Sequence, residues 1–444
     1  MNRLLITGTG SGCGKTTVTM GLLAALTARG LAVSSFKCGP DYIDPMFHRE
    51  ALGIPSYNLD PFFSDGEDLK RSFLRHAGRD ISVMEGVMGY YDGIGTEGTC
   101  STWDVARITG TPAVLVISAR GMATSAGAVI AGFRDFRSAS GISGVIFNGV
   151  PSSMLPMLSR IAQDQGVPCF GCLPRREDLS VGSRNLGLIT SAEIEDIRSL
   201  IAQLGELVEQ NLDIDGLLSL ASQAPDLSVS GSEDELPRYP VRVAVAEDKA
   251  FCFRYQDNLE LLESMGAELV HFSPMADRSL PENVHALYLC GGYPELHLQE
   301  LSDNRPMRES IRTAVGNGLP TFAECGGFMY LHDDISGVPM CGVIKGSCIE
   351  KQRLQRFGYV SLTTDRDSVM GPAGSVIRAH EFHYYDSTSN GDGCTAEKAS
   401  NHVSYPCCHI GESLFAGFPH LYLPSAPSFA GEFLRRAYAY ASRI

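Results

Sequence analysis

Short apolar runs separated by amphipathic stretches fill the first half of the chain. Leu4-Leu5-Ile6-Thr7 and residues 31–36, 81–85, 113–117, 144–147 and 168–173 read as buried strands, while 18–26, 101–109 and 125–136 have helical spacing. Continuous apolar strands alternating with helices predict a mostly parallel sheet covered on both faces. In such sheets ligands collect at the carboxyl ends of the strands. Residues 222–237 are small, polar, acidic and proline-bearing, and read as a linker. A fresh strand at 241–246 opens a second α/β unit, with further strands at 286–290 and 320–323. The expected organisation is α/β in two domains, residues 1–225 and 240–444, joined by a linker over 226–239.

The first strand runs into Gly8-Thr9-Gly10-Ser11-Gly12-Cys13-Gly14-Lys15-Thr16-Thr17. A strand, a glycine-rich turn ending in Gly-Lys-Thr and a helix behind it form a phosphate-binding loop. Gly10, Ser11, Gly12, Cys13, Gly14, Lys15, Thr16 and Thr17 are therefore expected around the phosphates of ATP. Lys15 offsets charge and the Thr16 hydroxyl is a Mg²⁺ ligand. One position departs from the usual spacing: Thr9 stands six residues before Lys15, where glycine is customary.

Carboxylates follow the strands. Asp41 and Asp44 leave the second strand after the turn Gly39-Pro40, Glu85 ends the third, and Asp92 lies seven residues later. Mg²⁺ takes one or two carboxylates plus phosphate oxygens, so Thr16, Asp41 and Glu85 are the expected metal set. Aspartates also cap helices and close turns, which is the ordinary alternative for Asp41 and Asp92. Lys37 reads either as a second phosphate contact or as a solvated lysine.

In the second half, Pro320-Thr321-Phe322-Ala323-Glu324 runs directly into Cys325-Gly326-Gly327 and a helical stretch. A nucleophile on a sharp strand-to-helix turn needs small neighbours, and the helix start supplies N–H donors. Cys325 is the candidate nucleophile. The turn Gly291-Gly292 after another strand, with Gly326, is a candidate oxyanion hole. The residues themselves leave three candidate bases, His380, His383 and His420.

Net charge is −15 over 444 residues, which disfavours nucleic acid and anionic membranes as partners. No apolar run approaches membrane-spanning length, and the first strand starts almost at once, so a cytoplasmic protein without a leader is expected. Thirteen cysteines then read as reduced thiols; neither Cys169-x-x-Cys172 nor Cys407-Cys408 has a partner pair at zinc spacing.

Together, the loop, Gly39-Pro40-Asp41-Tyr42-Ile43-Asp44, Glu85-Gly86-Val87-Met88-Gly89-Tyr90-Tyr91-Asp92-Gly93, Cys290-Gly291-Gly292-Tyr293-Pro294-Glu295, Glu324-Cys325-Gly326-Gly327 and His380-Glu381-Phe382-His383 resemble the cobyrinic acid a,c-diamide synthase family over essentially the whole length. The resemblance implies a dethiobiotin synthetase-like ATPase domain, which binds Mg²⁺, ATP and an anionic corrinoid. It also implies a class I glutamine amidotransferase domain, with L-glutamine as ammonia source. It implies acyl phosphates on the c and then the a carboxylate, His420 as base for Cys325, and Asn148 as a reader of the nucleotide base. Tyr42, Asp44, Asp92 and Arg184 fall toward the substrate. Two positions depart from the family pattern: Asn185 stands where histidine is frequent, and Tyr422 stands two residues after His420, where better-known triads carry glutamate and many relatives a second histidine. Hydrogenobyrinic acid and nickel-sirohydrochlorin are alternative substrates of the same chemistry. A partitioning or switch ATPase with a non-catalytic second half is the alternative from another class.

Overall fold

The computed structural model describes residues 1–176, 197–231 and 235–443. The chain divides into two compact units, Met1–Gly231 and Ser232–Ile444, both α/β. Arg184 and Asn185 lie outside the described residues.

The first unit holds a sheet of seven strands: β1 (Arg3–Gly8), β2 (Val33–Cys38), β3 (Ser56–Leu59), β4 (Ile81–Glu85), β5 (Ala113–Ser118), β6 (Ile142–Asn148) and β7 (Cys169–Leu173). Their order is β3-β2-β4-β1-β5-β6-β7, with every pairing parallel. Neighbouring residues of a strand feed opposite faces. Leu4, Ile6, Val114 and Val116 join one apolar cluster, and Leu5, Leu115 and Ile117 join the other. That double burial is why these strands read as unbroken apolar runs. Strand β2 begins and ends two residues later than expected, so Lys37 lies within it. Strand β3, a short edge strand of sequence Ser-Tyr-Asn-Leu, carries too little apolar signal to have been expected.

Helix α1 (Lys15–Ala28) starts where the loop ends, its cap Gly14 held at φ 102°, a conformation that only glycine takes without strain. Helix α2 (Ile43–Leu52) follows β2. The register of β2 on β4 sets Lys37 opposite Glu85, so both side chains leave the same face beside α1.

The second unit is built on strands β8 (Arg242–Ala246), β9 (Glu268–Phe272), β10 (Ala286–Leu289) and β11 (Thr321–Glu324). Further strands follow: β12 (His332–Ile335), β13 (Val338–Pro339), β14 (Ile344–Glu350), β15 (Arg356–Thr364), β16 (Val376–His383), β17 (Tyr385–Ser387), β18 (Cys394–Lys398), β19 (Ser404–Cys407), β20 (His409–Ile410), β21 (Leu414–Gly417) and β22 (His420–Leu421). The main sheet runs β20-β21-β11-β10-β8-β9, parallel except at β20. Two further sheets, β13-β12-β14-β17 and β19-β18-β15-β16-β22, are largely antiparallel. One continuous apolar cluster underlies the unit. All thirteen cysteines are free thiols. No helix among the described residues is long and apolar enough to cross a membrane.

Candidate active sites

In the first unit the loop after β1 is open at Ser11 and Gly12 and closed beneath, where Lys15 and Cys13 are buried. Lys15 Nζ donates to the Gly10 carbonyl at 2.9 Å, folding back over the loop. Burial lowers its pKa, so its charge stands in a poorly solvated place where a phosphate is the natural counter-charge. A Cβ on Gly14 would overlap the Asn148 amide, and one on Gly8 would overlap the Cys13 sulfur. Asn148 Nδ2 donates to the Cys13 carbonyl at 3.0 Å, tying the end of β6 to the loop.

Behind the loop lies a buried ionic cluster centred on Lys37. Its Nζ donates to Glu85 Oε1 at 2.9 Å, contacts the Asp44 carboxylate, and lies 3.8 Å from Asp41 Oδ2. At 3% exposure Lys37 is not the solvated lysine that the sequence left open. Burial alone would lower its pKa; Asp44, Glu85 and Asp41 outweigh that and hold it well above the usual value. Glu85 is pushed up to about 7, by burial first and then by Asp44. Asp41 is raised to about 6 for the same two reasons. Asp44 is drawn down despite its burial, because Lys37 pairs with it directly. Beneath Glu85, buried His48 has its Nε2 3.8 Å from Oε2 and its Nδ1 2.8 Å from Ser35 Oγ.

The residues fit a nucleotide-borne Mg²⁺ in part. Thr16 Oγ1 donates to Glu85 Oε1 at 2.7 Å, and Glu85 Oε2 is buried without a hydrogen-bond partner. These are two hard oxygen donors side by side at the helix start. Asp41 lies farther off, its Oδ2 3.8 Å from the shared Lys37 Nζ. Among the described residues no three His, Cys, Asp or Glu side chains form a ready-made metal cage. Asp41 also does the ordinary work of its residue type, its Oδ1 accepting from the Ile43 N–H at 2.9 Å at the start of α2. Asp92 is exposed and accepts from the Gly89 N–H at 2.8 Å, closing the turn. Tyr42 is buried beside Asp41 at the helix cap.

In the second unit Cys325 joins β11 to the helix Gly326–Tyr330 with φ 44° and ψ −104°, an uncommon conformation for a residue with a side chain. Its N–H donates to the Gly417 carbonyl at 2.8 Å. A Cβ on Gly326 would come within 2.9 Å of the Gly292 nitrogen, and one on Gly291 would overlap His420 Cε1. The bare Gly291-Gly292 turn thus lies against the nucleophile turn on one side and the His420 imidazole on the other. The structure brings Cys325, Gly326, Gly292 and His420 together.

His380 and His383 are close as well. Strand β22 pairs with β16 so that His380 and His420 are direct partners. His383 stacks on Phe418, ring centroids 3.9 Å apart, and its Nδ1 contacts the Tyr385 carbonyl at 2.6 Å. Of the three, His420 comes nearest to Gly291, its ring supplying the three closest atoms to a Cβ there. Burial, with His380 and His383 as neighbours, lowers its pKa to about 3, so the resting imidazole is neutral. Burial, reinforced by Glu295, raises the Cys325 thiol. The resting pair is therefore thiol and imidazole rather than an ion pair. Sequence reasoning passed over Glu324 as a hydrogen-bonding side chain, and over Asn258 and His48 altogether. Their partners lie 97, 163 and 37 residues away, beyond any local pattern.

Residues 4–188 match the CobQ/CobB/MinD/ParA nucleotide binding domain, and residues 242–426 match the CobB/CobQ-like glutamine amidotransferase domain. A cobyrinate a,c-diamide synthase of Listeria innocua is 40% identical over 394 residues, covering 86% of this chain and 87% of that protein. Its counterpart in Clostridium acetobutylicum is 38% identical over 430 residues, 95% and 97% of the two chains. That of Picrophilus torridus is 37% identical over 447 residues, 99% of both.

Proposed function

The chain belongs to the cobyrinate a,c-diamide synthase family, and on that premise we propose that it uses ATP and glutamine to amidate the a and c side-chain carboxylates of cobyrinic acid. The observation that carries the reading is Cys325 on its constrained turn, between a bare glycine turn and a neutral buried imidazole, in a chain that also holds a phosphate loop.

In the glutaminase half, Cys325 Sγ attacks the side-chain amide carbon of glutamine while His420 takes the thiol proton. The N–H groups of Gly292 and Gly326 receive the developing oxyanion. The proton returns to the departing nitrogen, ammonia leaves, and a glutamyl thioester remains. Water, deprotonated by His420, releases glutamate and restores the thiol.

In the ligase half, the loop residues 10–17 hold the triphosphate of ATP, Asn148 stands at the base end, and Tyr42, Asp44, Asp92 and Arg184 are assigned to the substrate side. A carboxylate oxygen of the corrinoid attacks the γ-phosphorus, ADP departs, and an acyl phosphate forms. Ammonia then attacks the acyl carbon and phosphate leaves; the c side chain reacts before the a. Lys15 neutralises charge on the transferring group. A Mg²⁺ on the nucleotide, met by Thr16 and Glu85 with Asp41 beyond Lys37, would supply further charge neutralisation there.

The test is a substrate series. With ATP and glutamine, cobyrinic acid should gain two amides by mass, in preference to hydrogenobyrinic acid and nickel-sirohydrochlorin. Preferential amidation of either of those, or ATP hydrolysis with no amide formed on any, contradicts the proposal.

A further inference from the structure

Buried side chains hold the segment that carries His420. Glu324 Oε1 accepts from the Leu421 N–H at 2.6 Å, and Asn258 Nδ2 donates to the Leu421 carbonyl at 2.8 Å. Asn258 Oδ1 also accepts from the Leu423 N–H at 2.8 Å. The residue next to His420 is thus gripped through both of its backbone polar groups. Glu324 is itself anchored: its Oε2 accepts from the Tyr288 hydroxyl at 2.8 Å, and the Tyr288 ring stacks on Phe322 at 4.7 Å. One residue on, the Cys325 N–H holds the Gly417 carbonyl. Consecutive residues of the nucleophile turn therefore fasten both ends of the stretch 417–421.

A triad orients its imidazole with a carboxylate on the ring. In this chain Tyr422 stands where better-known triads carry that carboxylate, and its ring packs edge-on against Tyr255, 5.3 Å away at 87°. We propose that Glu324, with Asn258, is the positioning residue for His420: the imidazole is aimed through its backbone, by a clamp built from the residue that precedes the nucleophile. This rests on the reading of Cys325 and His420 as nucleophile and base. Burial pushes the Glu324 carboxyl up to about 8, so near neutrality it is largely uncharged. A carboxamide of the same shape should then replace it well, keeping an acceptor for Leu421.

The full-length protein is assayed for glutamine-dependent and ammonia-dependent amidation, glutamine KM, and the rate at which iodoacetamide alkylates Cys325. Displacing a base by about 1 Å costs on the order of a hundredfold. Glu324→Ala should therefore lower glutamine-dependent kcat about a hundredfold, with glutamine KM within about threefold and ammonia-dependent synthesis unchanged. Glu324→Gln should recover kcat to within about fivefold of the parent. Asn258→Ala should shift kcat in the same direction, and decides the matter if Glu324→Ala does not fold. The clamp is overturned if the alanine variant keeps kcat within about twofold, if Gln is as impaired as Ala, or if the loss lies in KM alone. Cys325→Ala alongside separates the two failures. Glutamine turnover surviving in that variant overturns the site itself and the clamp with it, whereas turnover lost there and intact in Glu324→Ala overturns the clamp alone.

Discussion

Replacing Lys37 with methionine keeps the bulk of the side chain and removes the cation at the centre of the cluster behind the phosphate loop. Glu85, 0% exposed, would lose its partner at 2.9 Å, Asp44 its direct contact, and Asp41 its neighbour at 3.8 Å. Removing one member of a buried ion pair costs about 3–5 kcal/mol, because the remaining charge is stranded. For a unit of this size each kcal/mol is worth about 2–4 °C, so the Tm of the first unit should fall by roughly 6–20 °C near pH 8. The sign of the pH dependence follows from the direction of each shift. Asp44 is depressed by Lys37, so its stabilising contribution exists above its unfolded pKa and vanishes with the lysine. Glu85 and Asp41 already sit at about 7 and about 6. Without Lys37 they rise further, and the folded state gains by taking up protons as pH falls. The deficit should therefore be largest near pH 8 and clearly smaller near pH 5.5. Scanning calorimetry on the full chain, following the transition that ATP shifts, measures it. A Tm within about 2 °C of the parent at pH 8, or a deficit equal at both pH values, refutes the reasoning. Adding Asp44→Asn to the lysine variant should restore part of the loss.

Gly291→Ala places a methyl group on His420 Cε1; glutamine-dependent turnover should drop about a hundredfold while ammonia-dependent turnover stays within about twofold, by paired steady-state assays. Gly14→Ala forces a side chain at φ 102° into the Asn148 amide; ADP affinity should weaken at least about tenfold by calorimetric titration, with glutaminase activity retained. Because burial lowers His420 to about 3, glutaminase kcat/KM should stay level between pH 5.5 and 7; a fall centred near 6.5, as for a solvated histidine, contradicts a neutral buried base.

The parts of this molecule that were legible in the sequence are those encoded locally. Residues 8–17 announce their turn and helix in one stretch, and the strands ending at Glu85 and Glu324 are apolar runs because both faces of their sheets are covered. Strand β15, with Arg356, Gly358 and Ser361 among half-exposed positions, has no such run, and with its antiparallel neighbours it went unread. Lys37 remained ambiguous because its burial depends on Glu85, 48 residues away. Spacing alone left the three histidines equivalent, the family resemblance singled out His420, and burial does not separate them. What distinguishes His420 is the approach of Gly291, set by pairing between remote strands. The Glu324 hydrogen bond to Leu421 closes a span of 97 residues and has no local signature.

The most direct test of the two-step chemistry uses glutamine labelled with ¹⁵N at the side-chain amide, with ATP, cobyrinic acid and excess unlabelled ammonium. The intact protein should place ¹⁵N in both new amides, and Cys325→Ala should give the same diamide carrying only ¹⁴N. Labelled amides from the alanine variant, or unlabelled amides from the intact protein under glutamine saturation, would mean that the thiol at 325 is not the source of the transferred nitrogen.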